Sequence, residues 1–396
     1  MISRLEALHH IGTVPALGET ETAPLHACVG RVLATSVLAR HTHPPDNMSA
    51  MDGYAVRIAD ATAGAKLHVI GEAAAGHPFA GQVRSDTCVR VFTGSVIPDG
   101  ADHVVIQEDV TRTGDVIEIN QAQGGPRHIR AAGIDLNAGD VILNAGTCVS
   151  PRHLSICAAA NHAELTVIRR PRVALLANGD ELRPPGSTLA PGQIIASNEY
   201  TLTALIEAWG GDVVNLGIAP DDPIDIKARI KRAQDADLFV PVGGASVGDH
   251  DHMKAAFADL GFQTVFSKIA VRPGKPTWMS KSDAQWVLGL PGNPASALVC
   301  AHLFLRPLLL QMLGRSAQAA TIQARLDAPM DANGSRESFS RGIVSFGDAG
   351  ERIVSLAGNQ DSSLLSPFVT ANVLVHRPID SPAREAGETV NCVLLD

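Results

Sequence analysis

Four loops between residues 178 and 294 carry carboxylate or amide side chains, three of them together with glycine, and each follows an apolar run typical of a strand. The carboxyl ends of strands in an open parallel sheet lie along one edge, and ligands bind at that edge. Glycine-rich turns that lead into a helix also offer free backbone N–H groups to a phosphate or another oxyanion. The loops are Asn178 to Glu181, Ala219 to Pro223, Gly243 to Asp251 and Gly289 to Pro294.

Carboxylates reach the predicted edge from the loops Asn178 to Glu181 and Ala219 to Pro223. An acidic side chain next to a phosphate is repulsive unless a divalent cation bridges the two, so the pattern predicts Mg²⁺ together with a phosphorylated ligand. A single glycine-rich loop is usually only a turn, but four unusual loops on one edge favour a binding site. The chain has neither the G-x-x-x-x-G-K-[ST] loop of P-loop proteins nor the G-x-G-x-x-G fingerprint of dinucleotide-binding enzymes.

A cluster of positive charge accompanies a strand predicted from Thr264 to Val271. Lys268 and Arg272 are four residues apart, so on one strand they would share a face, and Lys275 lies in the turn beyond. Lysine and arginine are rarely buried without a partner. Three cations on an otherwise apolar segment therefore favour an oxyanion site over a solvated surface.

Histidines and cysteines do not indicate a zinc site. In the run from Asp249 to His252 neighbouring ligand-type residues project in different directions, and the run from His41 to His43 has no further cluster at a suitable spacing. The six cysteines occur singly, without a C-x-x-C pair. This pattern is typical of buried thiols in a reducing compartment.

The elements that must position these loops alternate between strand and helix from Pro171 to Gly314. Such βα units predict a parallel sheet with helices on both faces. Residues 46 to about 145 contain short β-like runs that suggest a β-rich module, and the runs after residue 318 suggest a small barrel or sandwich. Residues 1 to 45 and 145 to 170 are predicted to be more helical.

Composition limits the functional class. The chain has 396 residues, 45% apolar and 18% charged, which favours two to four domains with ample core. A formal net charge of −9 argues against nucleic acid and anionic membrane partners. The most apolar segment, Ala297 to Leu313, is shorter than the ~20 residues of a membrane span and is predicted to be a buried helix. The first residues lack the apolar run of an export signal, so we expect a cytoplasmic protein.

Five motifs in series resemble those of the molybdopterin molybdenumtransferase family, which includes the MoeA proteins and the gephyrin E domain. The resemblance covers nearly the whole chain, in order. It implies a transferase that inserts molybdate into the dithiolene of adenylylated molybdopterin and releases AMP, assisted by Mg²⁺. The motifs are Ser49 to Val56, Phe92 to Asp102, Gly243 to Asp251, Arg272 to Pro276 and Gly289 to Pro294, with Gly358 to Ser363 near the C-terminus.

The resemblance also implies a multidomain α/β plus β architecture. Family members are homodimers whose active site lies between the inserted domain of one subunit and the last two domains of the other. The adenylyltransferase and molybdoenzyme chaperones are further candidate partners. The expected domains are an elongated helical domain from 1–45 and 141–170, an inserted β-rich domain at 46–140, a three-layer α/β molybdopterin-binding domain with a mainly parallel sheet at 171–316, and a C-terminal β-barrel at 317–396.

The site residues that the resemblance implies fall into two groups. The catalytic group is Asp52, Thr93, Glu181, Asp221 and Asp251, of which Glu181, Asp221 and Asp251 would also hold Mg²⁺. The group that binds cofactor and molybdate is Asp135, Gly243, Gly244, Ser246, Gly248, Lys268, Arg272, Lys275, Pro291, Gly292, Asn293, Arg341 and Ser362. Arg272 stands where the family usually has lysine. The positive charge is kept, but the compact ammonium group of lysine is replaced by a planar guanidinium with several N–H donors.

Two other functions stay open at this point. Adenylylation of molybdopterin uses a related α/β domain with a similar Gly-Gly-x-Ser/Thr-x-Gly loop, although the additional domains here count against it. A non-catalytic, gephyrin-like cofactor carrier or scaffold is the other alternative. Clustered like charges cost stability and have no use in a pure scaffold, which favours retained chemistry.

Overall fold

The computed structural model describes residues 1–125, 127–244, 252–316 and 320–395. The chain divides into two compact units. This division is coarser than the four expected domains, whose boundaries stay a prediction. Unit 1 comprises Met1–Glu21, Gly30–Val32 and Ile168–Asp396, and unit 2 comprises Thr22–Val29 and Leu33–Val167.

Some of the α-helices in the described residues begin at side-chain caps. Asp222 accepts a hydrogen bond from the Ile224 backbone N–H at 3.0 Å ahead of Pro223, and Ser3 and Glu6 form a reciprocal capping box. The helices are α1 (Arg4–Gly12), α2 (Pro151–Ala159), α3 (Asn198–Ala208), α4 (Pro223–Ile230), α5 (His252–Asp259), α6 (Pro294–Cys300) and α7 (Arg306–Met312).

The strands are numbered in chain order. They are β1 (Thr20–Pro24), β2 (Val37–Leu38), β3 (Met48–Ser49), β4 (Gly53–Val56), β5 (Lys66–Ala73), β6 (Thr87–Val91), β7 (His103–Ile106), β8 (Val110–Thr113), β9 (Val116–Ile119), β10 (Ile129–Arg130), β11 (Val141–Leu143), β12 (Glu164–Ile168), β13 (Arg172–Asn178), β14 (Leu182–Arg183), β15 (Ile194–Ile195), β16 (Asp212–Ala219), β17 (Leu238–Val242), β18 (Gln263–Phe266), β19 (Val271–Arg272), β20 (Trp278–Lys281), β21 (Trp286–Gly289), β22 (Thr321–Leu326), β23 (Glu337–Phe346), β24 (Arg352–Leu356), β25 (Val373–Arg377) and β26 (Thr389–Leu394).

Unit 1 contains a six-stranded sheet in the order β16-β13-β17-β21-β20-β18. The first three pairings are parallel, as the βα alternation predicts, and β20 and β18 add an antiparallel edge. Alternate side chains of β13 enter two separate cores, because successive residues of a strand face opposite ways. Val173 and Leu175 pack with α1, α3, α6 and α7, while Ala174 and Leu176 pack with α4 and α5. The expected three-layer α/β arrangement is confirmed.

The most apolar segment is a core helix, as predicted. Helix α6 continues through a π-helical turn at Ala301–Leu305 into α7. Pro294–Met312 is the one helix in the described part of the chain that is long and apolar enough to cross a membrane, but 89% of its most apolar window is buried inside the protein.

The predicted strand from Thr264 to Val271 is wrong, because the chain passes between two sheets. Strand β18 ends at Phe266 in the α/β sheet, whereas β19 begins at Val271 and pairs with β23. Between them, Ile269 bridges to Ile2, whose backbone N–H donates to the Lys268 carbonyl at 3.0 Å. Lys268 and Arg272 therefore do not share one face of one strand.

The C-terminal strands of unit 1 form a closed five-stranded barrel. Strands β23, β24, β22, β26 and β25 are neighbours in that order, and β25 pairs back with β23. Val354, Val375 and Cys392 are fully buried in its interior. This confirms the barrel that the spacing of the C-terminal runs suggested.

Unit 2 is built around a mixed six-stranded sheet in the order β7-β4-β6-β5-β9-β8. Gly53 is needed where β4 meets β7, since a Cβ there would lie 2.1 Å from the Val105 carbonyl oxygen. The β-rich module is thus confirmed. The flanking segments, predicted to be more helical, contain α1 and α2 among the described residues, and much of the remainder forms loops and short strands such as the β2–β11 pair.

Candidate active site

Unit 1 has a cleft of about 1180 Å³ at the carboxyl ends of β13, β17 and β21. Three of the four loops singled out from the sequence line it, and the loop Ala219 to Pro223 does not. The opposite wall comes from the turn after β19, from β23 and from the loop after β24. The predicted site residues that line the cleft are Glu181, Gly243, Gly244, Arg272, Lys275, Pro291, Gly292, Asn293 and Ser362.

The loop Gly289 to Pro294 is held by two asparagines. Asn198 donates from Nδ2 to the Gly292 carbonyl at 2.7 Å, and Asn293 donates from Nδ2 to the Ser362 hydroxyl at 2.9 Å. The Ser362 carbonyl in turn accepts from the Ala295 backbone N–H at 3.1 Å. A loop of the α/β sheet and a loop next to the barrel are thereby joined at the cleft.

Asn178, the first residue of the loop Asn178 to Glu181, organises the neighbouring loops. It is 3% exposed, and its Nδ2 donates to the carbonyls of Ala219 and Pro220 at 3.3 and 3.1 Å. A Cβ on Gly243 would lie 2.6 Å from the Asn178 carbonyl oxygen, and one on Gly244 would lie 2.4 Å from its Oδ1. Both glycines also have positive φ, of 92° and 64°. Glycine is required at both positions by backbone conformation and by this close approach.

The turn that carries the cations rests on a buried cysteine. Gly274 has a φ of +124°, and a Cβ there would lie 2.2 Å from the Cys300 Sγ. Thr277 donates from Oγ1 to the Gly274 carbonyl at 2.8 Å. Burial raises the pKa of the Cys300 thiol to about 12, so this cysteine acts as a small hydrophobic residue. Its packing fixes the turn between Arg272 and Lys275.

Arg272 and Lys275 are the exposed cations of the cleft. Neither forms an ion pair with a carboxylate among the residues that the structure describes. Surface cations without a protein partner remain available to an anionic ligand, and hydrogen bonds from a charged donor to an anion are roughly twice as strong as neutral ones. The turn therefore offers two positive charges to the cleft.

Arg341 lies behind the loop that carries Ser362. Its side chain has no exposed surface, and its Nη2 donates to the carbonyls of Asn359 and Asp361, each at 3.0 Å. Gln360 completes the contact through hydrogen bonds with both the N–H and the carbonyl of Arg341. Burial lowers the pKa of Arg341. The structure thus places this predicted ligand-binding residue beneath the loop and not on the surface of the cleft.

Carboxylates approach the cleft from two loops. Asp361 accepts hydrogen bonds at Oδ1 from the Ser363 hydroxyl and backbone N–H, at 2.6 and 2.8 Å, and these lower the pKa of its carboxyl. Glu181 lines the cleft from the loop after β13. Asp221 does not line it; its backbone N–H donates to the Asp180 carboxylate at 3.1 Å. Lys268 is also absent from the lining.

Three predicted site residues lie in unit 2. Asp52 accepts hydrogen bonds at Oδ1 from the backbone N–H and the hydroxyl of Thr93, at 2.7 and 2.9 Å, and these lower the pKa of its carboxyl. Asp135 lies in a different loop, where its N–H donates to the His43 carbonyl at 3.2 Å. The remaining predicted residues, Ser246, Gly248 and Asp251, lie outside the described residues.

The chain is similar to curated proteins over nearly its full length. It is 35% identical over 381 residues to the molybdopterin molybdenumtransferase of Haemophilus influenzae, and the match covers 95% of this chain and 94% of that protein. The chain belongs to the molybdopterin molybdenumtransferase family. The relative of that name from Nostoc is 32% identical, with 94% of this chain and 88% of that protein covered.

Family models and solved structures agree with membership of the molybdopterin molybdenumtransferase family. The MoeA N-terminal region (domain I and II) matches residues 2–161, a probable molybdopterin binding domain matches 174–311, and the MoeA C-terminal region (domain IV) matches 323–395. A crystal structure titled as a molybdopterin biosynthesis MoeA protein from Pyrococcus horikoshii superposes with a TM-score of 0.85 at 29% identity, covering 100% of this chain and 99% of that one. The resemblance inferred from the motifs is confirmed.

The molybdopterin molybdenumtransferase fold also brings polar residues into the cleft that the motifs did not single out. A period of two along β23 could have found Ser338 and Ser340, since alternate residues of a strand share a face. No comparable signal marks the others, because they come from separate segments of the chain, among them α3 and α6. The additional polar lining residues are Ser197, Asn198, Glu199, Ser296, Arg336, Ser338 and Ser340.

The carboxylates of this family member fit Mg²⁺ only as a shared site. Within the described ranges no group of three or more His, Cys, Asp or Glu could hold a metal ion. Mg²⁺ prefers oxygen ligands and is commonly bound by one or two carboxylates together with substrate phosphates. A carboxylate such as Glu181 at the edge of the cleft is compatible with that arrangement when a phosphorylated ligand supplies the other oxygens.

Proposed function

We propose that this protein inserts molybdate into the dithiolene of adenylylated molybdopterin and releases AMP. The observation that carries the proposal is the cleft of unit 1, which places Arg272 and Lys275 together with the Ser362 hydroxyl and the Asn293 amide. Molybdate and phosphate groups are oxyanions, which are bound by charged N–H donors supplemented with neutral ones. Membership of the family supports the same reaction.

The exposed cations have a role in both binding and reaction. Cleavage of a phosphoanhydride needs the negative charge on its oxygens to be stabilised. Arg272 and Lys275 stand on a turn fixed by Gly274 and Cys300, so their charges are in place before the ligand arrives. Arg341 acts indirectly, since it holds the loop that presents Ser362.

Mg²⁺ is part of this proposal, with Glu181, Asp221 and Asp251 as the residues that would hold it. When bound, the ion would neutralise charge on the phosphoanhydride oxygens. Asp52 and Thr93 are proposed to take part in the reaction, and Asp135 to contribute to cofactor binding. Support for a role of Asp52 is its ionised carboxylate, which is fixed by Thr93 although it is partly exposed.

We further propose a cytoplasmic homodimer with the four domains 1–45 plus 141–170, 46–140, 171–316 and 317–396. The adenylyltransferase and molybdoenzyme chaperones are its candidate partners. Sedimentation equilibrium tests the dimer, and a monomer at micromolar concentration would contradict it. Limited proteolysis tests the boundaries, since linkers between domains are cut first.

The activity is tested by mixing purified protein with adenylylated molybdopterin, molybdate and Mg²⁺ and following both AMP release and molybdenum retained on the pterin. Release of AMP with molybdenum incorporation supports the proposal. Formation of adenylylated molybdopterin from ATP would instead indicate the adenylyltransferase alternative. Pterin binding without any AMP release would indicate a carrier or scaffold. Neither alternative is favoured, because relatives named as transferases match the chain almost from end to end.

A further inference from the structure

The guanidinium of Arg90 in unit 2 lies over two aromatic rings. Arg90 lies on β6, and its guanidinium carbon is 5.1 Å from the centre of the Tyr54 ring and 4.8 Å from that of Phe92. Arginine stacks on aromatic faces while its N–H groups stay free to donate in the plane of the guanidinium. The two rings therefore fix the plane in which Arg90 can make hydrogen bonds.

Those hydrogen bonds reach the residue that follows Asp52 and a residue that bonds to the Asp52 backbone. Arg90 donates from Nη1 to the carbonyl of Gly53, the next residue in the chain, at 3.2 Å. It donates from Nη2 to the Gln107 side-chain oxygen at 2.6 Å. The Gln107 backbone N–H in turn donates to the Asp52 carbonyl at 3.1 Å. Arg90 thus contacts the Gly53 carbonyl directly and the Asp52 carbonyl through Gln107.

The carboxylate of Asp52 is constrained on one oxygen only. Both hydrogen bonds from Thr93 end on Oδ1, and within the described ranges Oδ2 accepts none. No carboxylate in this part of the chain forms an ion pair with Arg90, and its positive charge helps to keep Asp52 ionised. One oxygen of the carboxylate is therefore anchored, and the other is available.

We propose that Arg90 is a positioning residue for Asp52. Its stacked guanidinium donates to the Gly53 carbonyl and to Gln107. These contacts fix the backbone of Asp52, so that its free Oδ2 keeps one orientation during molybdenum insertion. The inference rests on the proposed function, in which Asp52 takes part in the reaction. A lysine at position 90 would keep the positive charge but could not donate the same two hydrogen bonds from one planar group. The Arg90→Lys variant therefore separates the effect of the charge from the effect of the hydrogen-bond geometry.

The test is a double-mutant cycle between Arg90 and Asp52, read as molybdenum insertion and AMP release. Methionine at position 90 keeps an apolar stem against Tyr54 and Phe92 but has no donor. Arg90→Met is expected to lower kcat roughly 10- to 100-fold with little change in KM, because a small misplacement of a reacting group has an effect of this size. Arg90→Lys recovers only part of the rate. In an Asp52→Asn background, Arg90→Met causes no further loss.

Two results would overturn the proposal. An equal loss from Arg90→Met in the presence and absence of the Asp52 carboxylate would mean that Arg90 only supports the sheet. An unchanged rate in the wild-type background would remove Arg90 from the reaction altogether. The matched control is Arg112→Met, which removes an arginine from β8 of the same sheet, where it donates to the Gly114 carbonyl. This control is expected to keep full activity.

A readout without catalysis separates this inference from the proposed function. The Thr93 N–H is bonded to Asp52, so its exchange with solvent, followed by NMR, reports whether the carboxylate stays in place. Arg90→Met is expected to accelerate this exchange while the amides of β9 keep their protection. If the wild-type protein releases no AMP, the proposed function fails, and accelerated exchange at Thr93 still supports the positioning. Unchanged exchange overturns it.

Discussion

The side chain of Asn293 donates a hydrogen bond to the hydroxyl of Ser362, 2.9 Å away, across a separation of 69 residues. Asn293 follows β21 and precedes α6, whereas Ser362 belongs to the loop after β24 of the barrel. The contact fixes two walls of the cleft relative to each other inside unit 1. The shape of the site is therefore set before a ligand binds.

A double-mutant cycle measures this contact. Asn293→Ala and Ser362→Ala are expected to be coupled by about 0.5–1.5 kcal/mol, the usual net contribution of one hydrogen bond, in urea unfolding. Ser363→Ala is the matched control, because Ser363 bonds to Asp361 within its own loop. Additive effects of Asn293→Ala and Ser362→Ala in the double variant would show that the two loops are not joined through these side chains.

The cations of the cleft are expected to dominate anion binding. Arg272→Gln or Lys275→Gln removes a charged donor worth about 1.5–3 kcal/mol, so affinity for molybdate should fall about 10- to 150-fold in calorimetric titrations. Arg272→Lys keeps the charge and should lose much less. Lys66→Gln, which removes an exposed lysine paired with Glu118 in unit 2, serves as the control. Unchanged affinity in both glutamine variants would place the anion elsewhere.

The turn before Lys275 is expected to tolerate only glycine at position 274. In Gly274→Ala the new methyl would overlap the Cys300 Sγ and also meet a positive φ, at a combined cost of about 2–4 kcal/mol. Adding Cys300→Ala removes the overlap but not the backbone strain, so thermal unfolding should show partial recovery. Full recovery would mean that φ is unimportant, and no recovery would mean that Cys300 is not what excludes the side chain.

His103 makes the stability of unit 2 depend on pH. Burial lowers the pKa of this histidine below its ordinary value of 6.5, with smaller opposing contributions from Gln123 and Asp102. As the pH falls, His103 is therefore protonated in the unfolded chain before it is protonated in the folded protein. Stability is highest above about pH 6.5 and falls as the pH drops from there toward the folded-state pKa, because protonation favours unfolding.

Urea unfolding at pH 7.5 and pH 5.5 tests this dependence. His103→Gln is expected to destabilise the protein more at pH 7.5 than at pH 5.5, so its loss of stability between the two values is smaller than that of the wild type. His68→Gln, at an exposed position on β5, keeps the wild-type loss. Parallel losses for the wild type and His103→Gln would assign the pH dependence to other groups.

Local sequence determines much of the α/β domain. The apolar run of β13 and its Asn-Gly-Asp ending predict a buried strand with a polar loop at its carboxyl end, because burial on both faces requires continuous hydrophobicity. The same reasoning locates β17, β21 and the buried helix α6. Side-chain pattern and turn residues are local properties, so they can be recognised without the fold. The membership of the family likewise follows from motifs that are continuous in the chain.

Other features depend on contacts between residues far apart in the chain, and only the tertiary structure decides them. The segment around Lys268 is apolar enough for one strand, yet it divides between two sheets because Ile2 and β23 offer competing partners. Arg341 has the positive charge expected of a residue that binds an anion. Inside the protein, however, its Nη2 donates to the carbonyls of Asn359 and Asp361. Residue type indicates what a side chain can bind, whereas packing decides whether a ligand or the protein itself binds it.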